Sequence, residues 1–399
     1  MNEYALRALT LLEETFGKGG DARTFFSPGR ANLIGEHIDY NGGRVLPCSL
    51  SLGTYAAARR RDDGRILLVS ADMPGETVSA LYAELLSLPQ EPGSYSRFGW
   101  GAYPLGVCAK LARAGFSSGG FEMAVTGSLP RGSGLSSSAS LEILTCAVIS
   151  ELYGADLDGT AAARLSLEAE RDCAGVNCGI MDQFVCAVGR RGEAVLLDTH
   201  TLDYEYIPFD TGDCELLIMN TRKPRRLADS KYNERRAECA EALRLINENR
   251  LSPYPSLCAI APEEFPAAGR ALPPALLRRA RHAVTENART KLAADAMRRR
   301  DMAELGRLFN ASHDSLRDDY EVTGRELDSI VNAARAQEGV LGARMTGAGF
   351  GGCAIALALR GKAGDAARNI ARIYHAETGY ECEILEASTA DAPFGGARG

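Results

Sequence analysis

The stretch MTGAGFGGCAIALAL, residues 345–359, sets a firm limit on what this chain can fold into. Its glycines at 347, 349 and 352 spell GxGxxG, the pattern of a dinucleotide-binding turn. That turn needs a strand before it and a helix after it, with the pyrophosphate resting on the helix start. Here the glycines run straight into CAIALAL, a short apolar run that reads as a buried strand. A dinucleotide fold is rejected, and a hydride-transfer enzyme with it. What remains is a tight loop whose glycines lie beside a ligand or another loop.

The rest of the chain agrees with a mixed architecture. FFSPG, RVLPCSL, TYAAARR, RILLVSA and FEMAVTG read as strands. Helical spacing covers 99–114, 137–153, 159–173 and 362–378, and the region 230–337 is helix-rich except for a proline-bearing break at 252–274. A further strand is expected at CEILEAS, and LLIMN begins a new apolar run. Without regular βαβ spacing, the pattern predicts an α+β protein of two domains. The proline and acidic turn of PFDTGDCE mark the preferred boundary, giving domains 1–207 and 208–399.

Of 399 residues, 45% are hydrophobic and 24% charged, with a formal net charge of -7. That balance argues against a nucleic-acid or membrane-surface binder. The RRR runs at 59–61 and 298–300 are each followed by an acidic residue and read as solvated faces. Eleven cysteines include no CxxC pair, and Cys108, Cys146 and Cys353 sit in apolar surroundings. They predict small core residues in a reducing cytoplasm rather than a disulfide framework or zinc site. MNEYALRALTLLEETFG reads as an amphipathic helix without the basic start of a signal peptide, and no apolar run approaches a membrane span.

Two further glycine-rich stretches carry candidate chemistry. GSLPRGSGLSSSASLEILTCAVISELYG, residues 127–154, places small residues before an apolar helix. A helix start of this kind offers free N–H groups and a positive dipole end to an anion, although the serines also suit plain helix capping. It is not a Walker A loop, because Ser133 and Gly134 stand where Lys and Ser or Thr belong. LEAERDCAGVNCGIMDQFVCAVG, residues 167–189, sets Glu170 near one helix end and Asp182 near the next helix start, with Gly175, Asn177 and Gly179 in a sharp connection. By itself Asp182 reads equally as a helix-dipole residue and as a catalytic group. Near the N-terminus, PGRANLIGEHIDYNGG (28–43) crowds Arg30, Glu36, His37 and Asp39 between glycines, which predicts a tightly folded charged segment.

In this order the three glycine-rich motifs resemble those of the GHMP small-molecule kinases, and GRANLIGEHIDYNGG is similar to the galactokinase signature. CGIMDQF, SKYNERRAEC and SHDSLRDDYEVTGRELDSIV extend the resemblance from about Phe26 to Leu357. It implies an N-terminal domain of the ribosomal S5 domain 2-like type, a ferredoxin-like C-terminal domain and a site in the cleft between them. It implies ATP-dependent phosphorylation of the C1 hydroxyl of α-D-galactose, with Mg²⁺, by a cytoplasmic monomer.

Position by position, the resemblance makes Asp182 and Arg30 catalytic. Glu36, His37, Asp39, Gly179 and Tyr232 would contact sugar; Ser138 and Glu170 would stand on the Mg²⁺ side. The loop Gly132, Ser133, Gly134, Leu135, Ser136, Ser137 and Ser138 would wrap the triphosphate, with Trp100 near the adenine. Two departures are visible: Ala102 replaces an asparagine common on the Trp100 helix, and Ala348 replaces a glycine of the third motif. Outside the motif context, His37 reads as a satisfied buried histidine and Tyr232 as an interfacial aromatic.

An aspartate here has two possible roles, as general base for the hydroxyl or as an orienting group beside an arginine and Mg²⁺. The neighbouring readings are a kinase for N-acetylgalactosamine or L-arabinose and a non-catalytic galactose sensor. The sensor is disfavoured by intact Ser136, Ser137, Ser138, Glu170, Arg30 and Asp182.

Overall fold

The computed structural model describes residues 2–89, 91–116, 118–130, 134–223, 228–248 and 250–396. In the first half the elements are α1 (Glu3–Phe16), β1 (Arg23–Ile34), β2 (Arg44–Arg61), β3 (Arg65–Ser70), β4 (Thr77–Leu81), α2 (Tyr82–Ser87) and α3 (Ala102–Arg113). There follow β5 (Gly120–Gly127), α4 (Ser137–Tyr153), α5 (Gly159–Ala169), α6 (Met181–Val188), β6 (Glu193–Asp198) and β7 (Tyr204–Pro208). Among the described residues these seven strands form one sheet, ordered β4-β3-β5-β2-β6-β7 with β1 on β2. Only β3 and β5 run parallel. The helix α4 is buried on several sides, because its apolar residues recur too densely for a single stripe. It packs against β1, β2 and α6, which brings the start of α4 and the start of α6 to the same end of β1.

The second half contains β8 (Cys214–Asn220), α7 (Ala228–Asn247), α8 (Phe265–Ala268), α9 (Pro274–Arg298), α10 (Met302–Asp318), α11 (Gly324–Arg335), β9 (Val340–Thr346), β10 (Cys353–Leu359), α12 (Arg360–Thr378) and β11 (Glu383–Ala387). Four antiparallel strands make its sheet, ordered β11-β8-β10-β9. The run CAIALAL is indeed a strand, β10, so the glycines before it form a loop between strands. The long helix α9 bridges the halves, touching α7 and α10 on one side and β1, β2 and β7 on the other. The mixed α+β organisation expected from the pattern is therefore present.

Three local readings change. PGRANLI is not a glycine-bounded turn: it lies inside β1, and only the residues after Ile34 turn, through a short 3-10 helix at Asp39–Asn41. The pairing of β1 with β2 shifts between Pro28 and Arg30 and again between Asn32 and Ile34. Such irregularities re-aim side chains, and here they flank Arg30. RVLPCSL and TYAAARR are two ends of one 18-residue strand, β2. Finally, the first RRR run is not a freely solvated face, because Arg59 and Arg61 both pair with buried Glu122.

Candidate active site

A cavity of about 250 Å³ is walled by residues of 30–39, residues 170–182, Tyr232 and Asn233 on α7, and Gly347 and Ala348 before β10. That volume is at the small end for ligand pockets, suited to one compact polar molecule. Its lining brings together Arg30, Glu36, His37, Asp39, Glu170, Gly179, Asp182 and Tyr232, all eight named from the sequence.

Arg30 and Asp182 are the centre of this arrangement. The guanidinium donates from Nε to Oδ1 and from Nη2 to Oδ2, both at 2.8 Å. Its third nitrogen, Nη1, donates to the Gly134 carbonyl at 2.7 Å. Arg30 is 4% exposed, so a fixed positive charge is held between the aspartate and the start of the serine loop. Ser136 donates from Oγ to Asp182 Oδ2 at 2.5 Å. This serine precedes α4 in the left-handed region (φ 64) and its side chain makes no cap bond to the helix. A capping role for Ser136 thus gives way to a contact with Asp182.

Glu36 is held from two sides. Its Oε2 accepts from Arg344 Nη2 at 2.7 Å and its Oε1 from the Gly347 N–H at 2.9 Å. Burial pushes the carboxyl above its usual range, opposed by Arg344 and Arg30. Arg344, fully buried on β9, also donates Nη1 to the carbonyls of Asn32 (2.7 Å) and Leu33 (3.1 Å). Behind the turn, Glu286 of α9 accepts the N–H of Gly35 at 3.1 Å and of Glu36 at 3.3 Å, together with the Ser312 hydroxyl at 2.6 Å. Despite its burial, Glu286 is held down to about 2, chiefly by Arg289. Neither Arg344 nor Glu286 was found by sequence reasoning, since each acts through a backbone hundreds of residues away or across domains.

Asp39 and Gly179 fit each other closely. A Cβ on Gly179 would lie 1.6 Å from Asp39 Oδ2. Desolvation, reinforced by Asp182 and Glu36, raises Asp39 to about 6. His37 sits at φ 60 and has both ring nitrogens occupied, by the Tyr40 hydroxyl at 2.8 Å and the Ala348 carbonyl at 3.2 Å. Burial lowers its pKa to about 3, so the ring is neutral. Tyr232 stacks near it, ring centroids 5.6 Å apart.

Glu170 opens a π-helical turn, Glu170–Ala174, that ends α5. Its carboxylate accepts from the Cys178 thiol at 3.1 Å and from the Gln183 amide; burial raises its pKa, opposed by Cys178 and Ser138. The same amide reaches Glu142 Oε2 at 3.2 Å, deep in the core, where burial holds that carboxyl well above its usual range.

Other expected residues lie elsewhere or act differently. Leu135 is 1% exposed, and its carbonyl accepts the Arg30 backbone N–H at 3.2 Å. Ser137 opens α4 and is exposed. Trp100 lies in a 3-10 turn before α3 and is not part of the cavity wall. Gly132 and Ser133 lie outside the described residues.

The galactokinase galactose-binding signature matches residues 10–60, the GHMP kinases N terminal domain 102–190 and the GHMP kinases C terminal domain 293–377. The galactokinase of Streptococcus mutans is 47% identical over 367 residues, 92% of each chain. That of Clostridium tetani is 46% identical over 365 residues, covering 91% of this chain and 90% of its own. The chain belongs to the galactokinase family. Among solved structures, the galactokinase of Lactococcus lactis complexed with galactose matches with a TM-score of 0.91 at 42% identity, over 97% of this chain and 98% of its own. A mevalonate kinase from Methanococcus jannaschii matches at a TM-score of 0.66 and 19% identity over 94% of this chain and 100% of its own, a likeness of fold alone. Among the described residues, no helix is long and apolar enough to cross a membrane.

Proposed function

We propose that the chain transfers the γ-phosphoryl group of ATP to the C1 hydroxyl of α-D-galactose, giving galactose 1-phosphate and ADP. The observation that carries this reading is the parallel Arg30–Asp182 pair, opening on a small cavity on one side and tied to the serine loop at Gly134 on the other. Family membership supports galactose as the sugar. In the transfer, the C1 oxygen bonds to the γ-phosphorus as the bridging β–γ P–O bond breaks and ADP leaves. The hydroxyl proton passes to Asp182, and Arg30 stabilises charge on the phosphoryl oxygens, since such a loose transition state depends on positioning and electrostatics.

Glu36, Asp39, His37, Gly179 and Tyr232 shape the sugar side. A buried carboxylate left without a hydroxyl partner costs about 1–3 kcal/mol, which turns one inverted hydroxyl into rejection. On the nucleotide side, a hydroxyl from Ser138 and a carboxylate from Glu170 form an oxygen-only donor pair. Mg²⁺ takes one or two such ligands and completes its shell with water and phosphate oxygens, so these residues fit it. When bound, Mg²⁺ neutralises phosphate charge. In this reading the active unit is a monomer, and ATP as donor supports action in the cytoplasm. ADP release measured across galactose, N-acetylgalactosamine, L-arabinose, glucose and mevalonate tests the assignment. Turnover should be confined to galactose-type sugars, and comparable rates on glucose and galactose would overturn it.

A further inference from the structure

Two consecutive residues grip two others. Glu36 accepts the Gly347 N–H while His37 meets the Ala348 carbonyl, so the third glycine loop is held in both hydrogen-bond polarities. Because a carbonyl only accepts, the His37 bond requires a proton on Nε2. The ring is neutral, so Nδ1 carries none and must accept. Tyr40 therefore donates to Nδ1, at 2.8 Å. The Tyr40 oxygen lies 2.9 Å from the Tyr320 hydroxyl, which lies 3.1 Å from Cys239 Sγ on α7. With Tyr40 committed as a donor, Tyr320 donates to it, and the Cys239 thiol donates to Tyr320. One carbonyl at the cavity wall thus fixes the direction of four hydrogen bonds in series.

The residues beyond the chain keep it in register. Tyr320 is fully buried, its ring 4.5 Å from that of His282 and 5.0 Å from that of His37. Its carbonyl accepts from Arg235 Nε at 2.8 Å. Two residues on, the Val322 carbonyl accepts the Phe350 N–H at 2.7 Å, and a Cβ on Gly349 would come within 2.3 Å of it. The same short segment therefore steers both the histidine and the loop that the histidine holds.

We propose that Tyr40 and Tyr320 are positioning residues for sugar recognition: through a directed hydrogen-bond series they hold His37 as the Nε2–H tautomer and so fix the Gly347–Ala348 backbone against the cavity. The proposal rests on the sugar reading of that cavity for its kinetic arm, whereas its tautomer arm needs no substrate.

The test combines ¹⁵N NMR of the histidine rings with sugar kinetics in the full chain. In the unaltered protein, His37 should show Nε2 protonated and Nδ1 as a hydrogen-bonded acceptor. Tyr40→Phe removes the donor from a buried nitrogen; Nδ1 should move to the position of an unbonded imine, and the sugar KM should rise about 10-fold, the scale of an unsatisfied buried group, with kcat within about twofold. Tyr320→Phe keeps both ring stacks and removes one hydroxyl, so it serves if Tyr40→Phe fails to fold, with a smaller rise of about threefold. Cys239→Ser, which keeps a donor, should leave both readouts near the parent, and Cys239→Ala should not. A folded Tyr40→Phe or Tyr320→Phe protein with an unchanged Nδ1 signal and unchanged sugar KM overturns the proposal, as does a parent His37 protonated at Nδ1. A parent with the expected tautomer but no sugar kinase activity would instead overturn the functional reading.

Discussion

Arg30 and Asp182 meet edge to edge, two N–H donors facing two carboxylate oxygens at 2.8 Å each, across 152 residues of sequence. Asp182 has 30% of its side chain exposed to the cavity, whereas Arg30 has 4%. In the proposed reaction the more exposed carboxylate is therefore the member placed to take the hydroxyl proton, beside a guanidinium fixed in position. Asp182→Asn should lower kcat by about 10²-fold or more, the usual contribution of a proton acceptor. Single-turnover measurement of the chemical step checks this; a loss of only about 10-fold would assign Asp182 to orientation alone.

Gly179→Ala places a methyl group where Asp39 Oδ2 now lies. The backbone at Gly179 is not among the positive-φ positions, so the effect is a clash rather than a forbidden conformation. The galactose KM should rise at least about 10-fold while the ATP KM stays within about twofold, since a displaced carboxylate loses its hydrogen bonds to sugar. Equal effects on both substrates would show that the change spreads beyond the sugar side.

Arg344 is the buried cation whose removal should harm the fold most. Arg344→Met strands Glu36 and two backbone carbonyls, a loss expected at about 3–5 kcal/mol for a broken buried pair. Arg344→Lys should recover little of it, because an ammonium group does not span the acceptors that a planar fork reaches. Urea unfolding monitored by circular dichroism measures both, and a loss below about 1 kcal/mol in either would count against the clamp.

The raised pKa of Asp39 gives a pH dependence of definite sign. An aspartate that titrates near 6 in the folded chain and near 3.8 when unperturbed binds its proton more tightly when folded. Its contribution therefore favours the folded state below about pH 4 and is lost as pH rises through 6. Sugar binding has the opposite trend, because an accepting carboxylate must be ionised. The galactose KM should climb about tenfold per unit as pH falls below 6, a slope that Asp39→Asn removes. His37, neutral down to about 3, cannot be the source of that limb. A KM flat from pH 5 to 8 would refute the assignment.

How far the sequence foretold this site depends on where each residue's partner lies. Arg30, Glu36, His37, Asp39 and Asp182 stand in compact motifs, and the structure brings them to one cavity. The supports were not legible in the same way. Nothing local to GARMT says that Arg344 reaches Asn32 and Leu33, and β9 itself was not expected, since its glycine and arginine break the apolar alternation of a strand. The strand expected at FFSPG was not carried on through RANLI, because its polar residues weaken the strand signal. In the fold Arg30 pairs with Asp182, and Asn32 joins Thr346 through its backbone N–H and carbonyl. Ser136 looked like a helix cap by type, yet a tertiary partner outcompeted the local one.

The bonds from Arg344 and Thr346 to β1 join the two halves beside the Glu36 turn, and a second junction ties Ser49 and Ser51 of β2 to the backbone of Ser388 and Ala390. Any opening of the cleft that left these bonds intact would have to pivot about them, with Gly134, Leu135 and Ser136 carried along by Arg30 and Asp182. Sugar would then meet a rigid mould. Mutations that broaden sugar choice must accordingly reshape the mould itself, whereas changes in nucleotide traffic can arise at a distance from it.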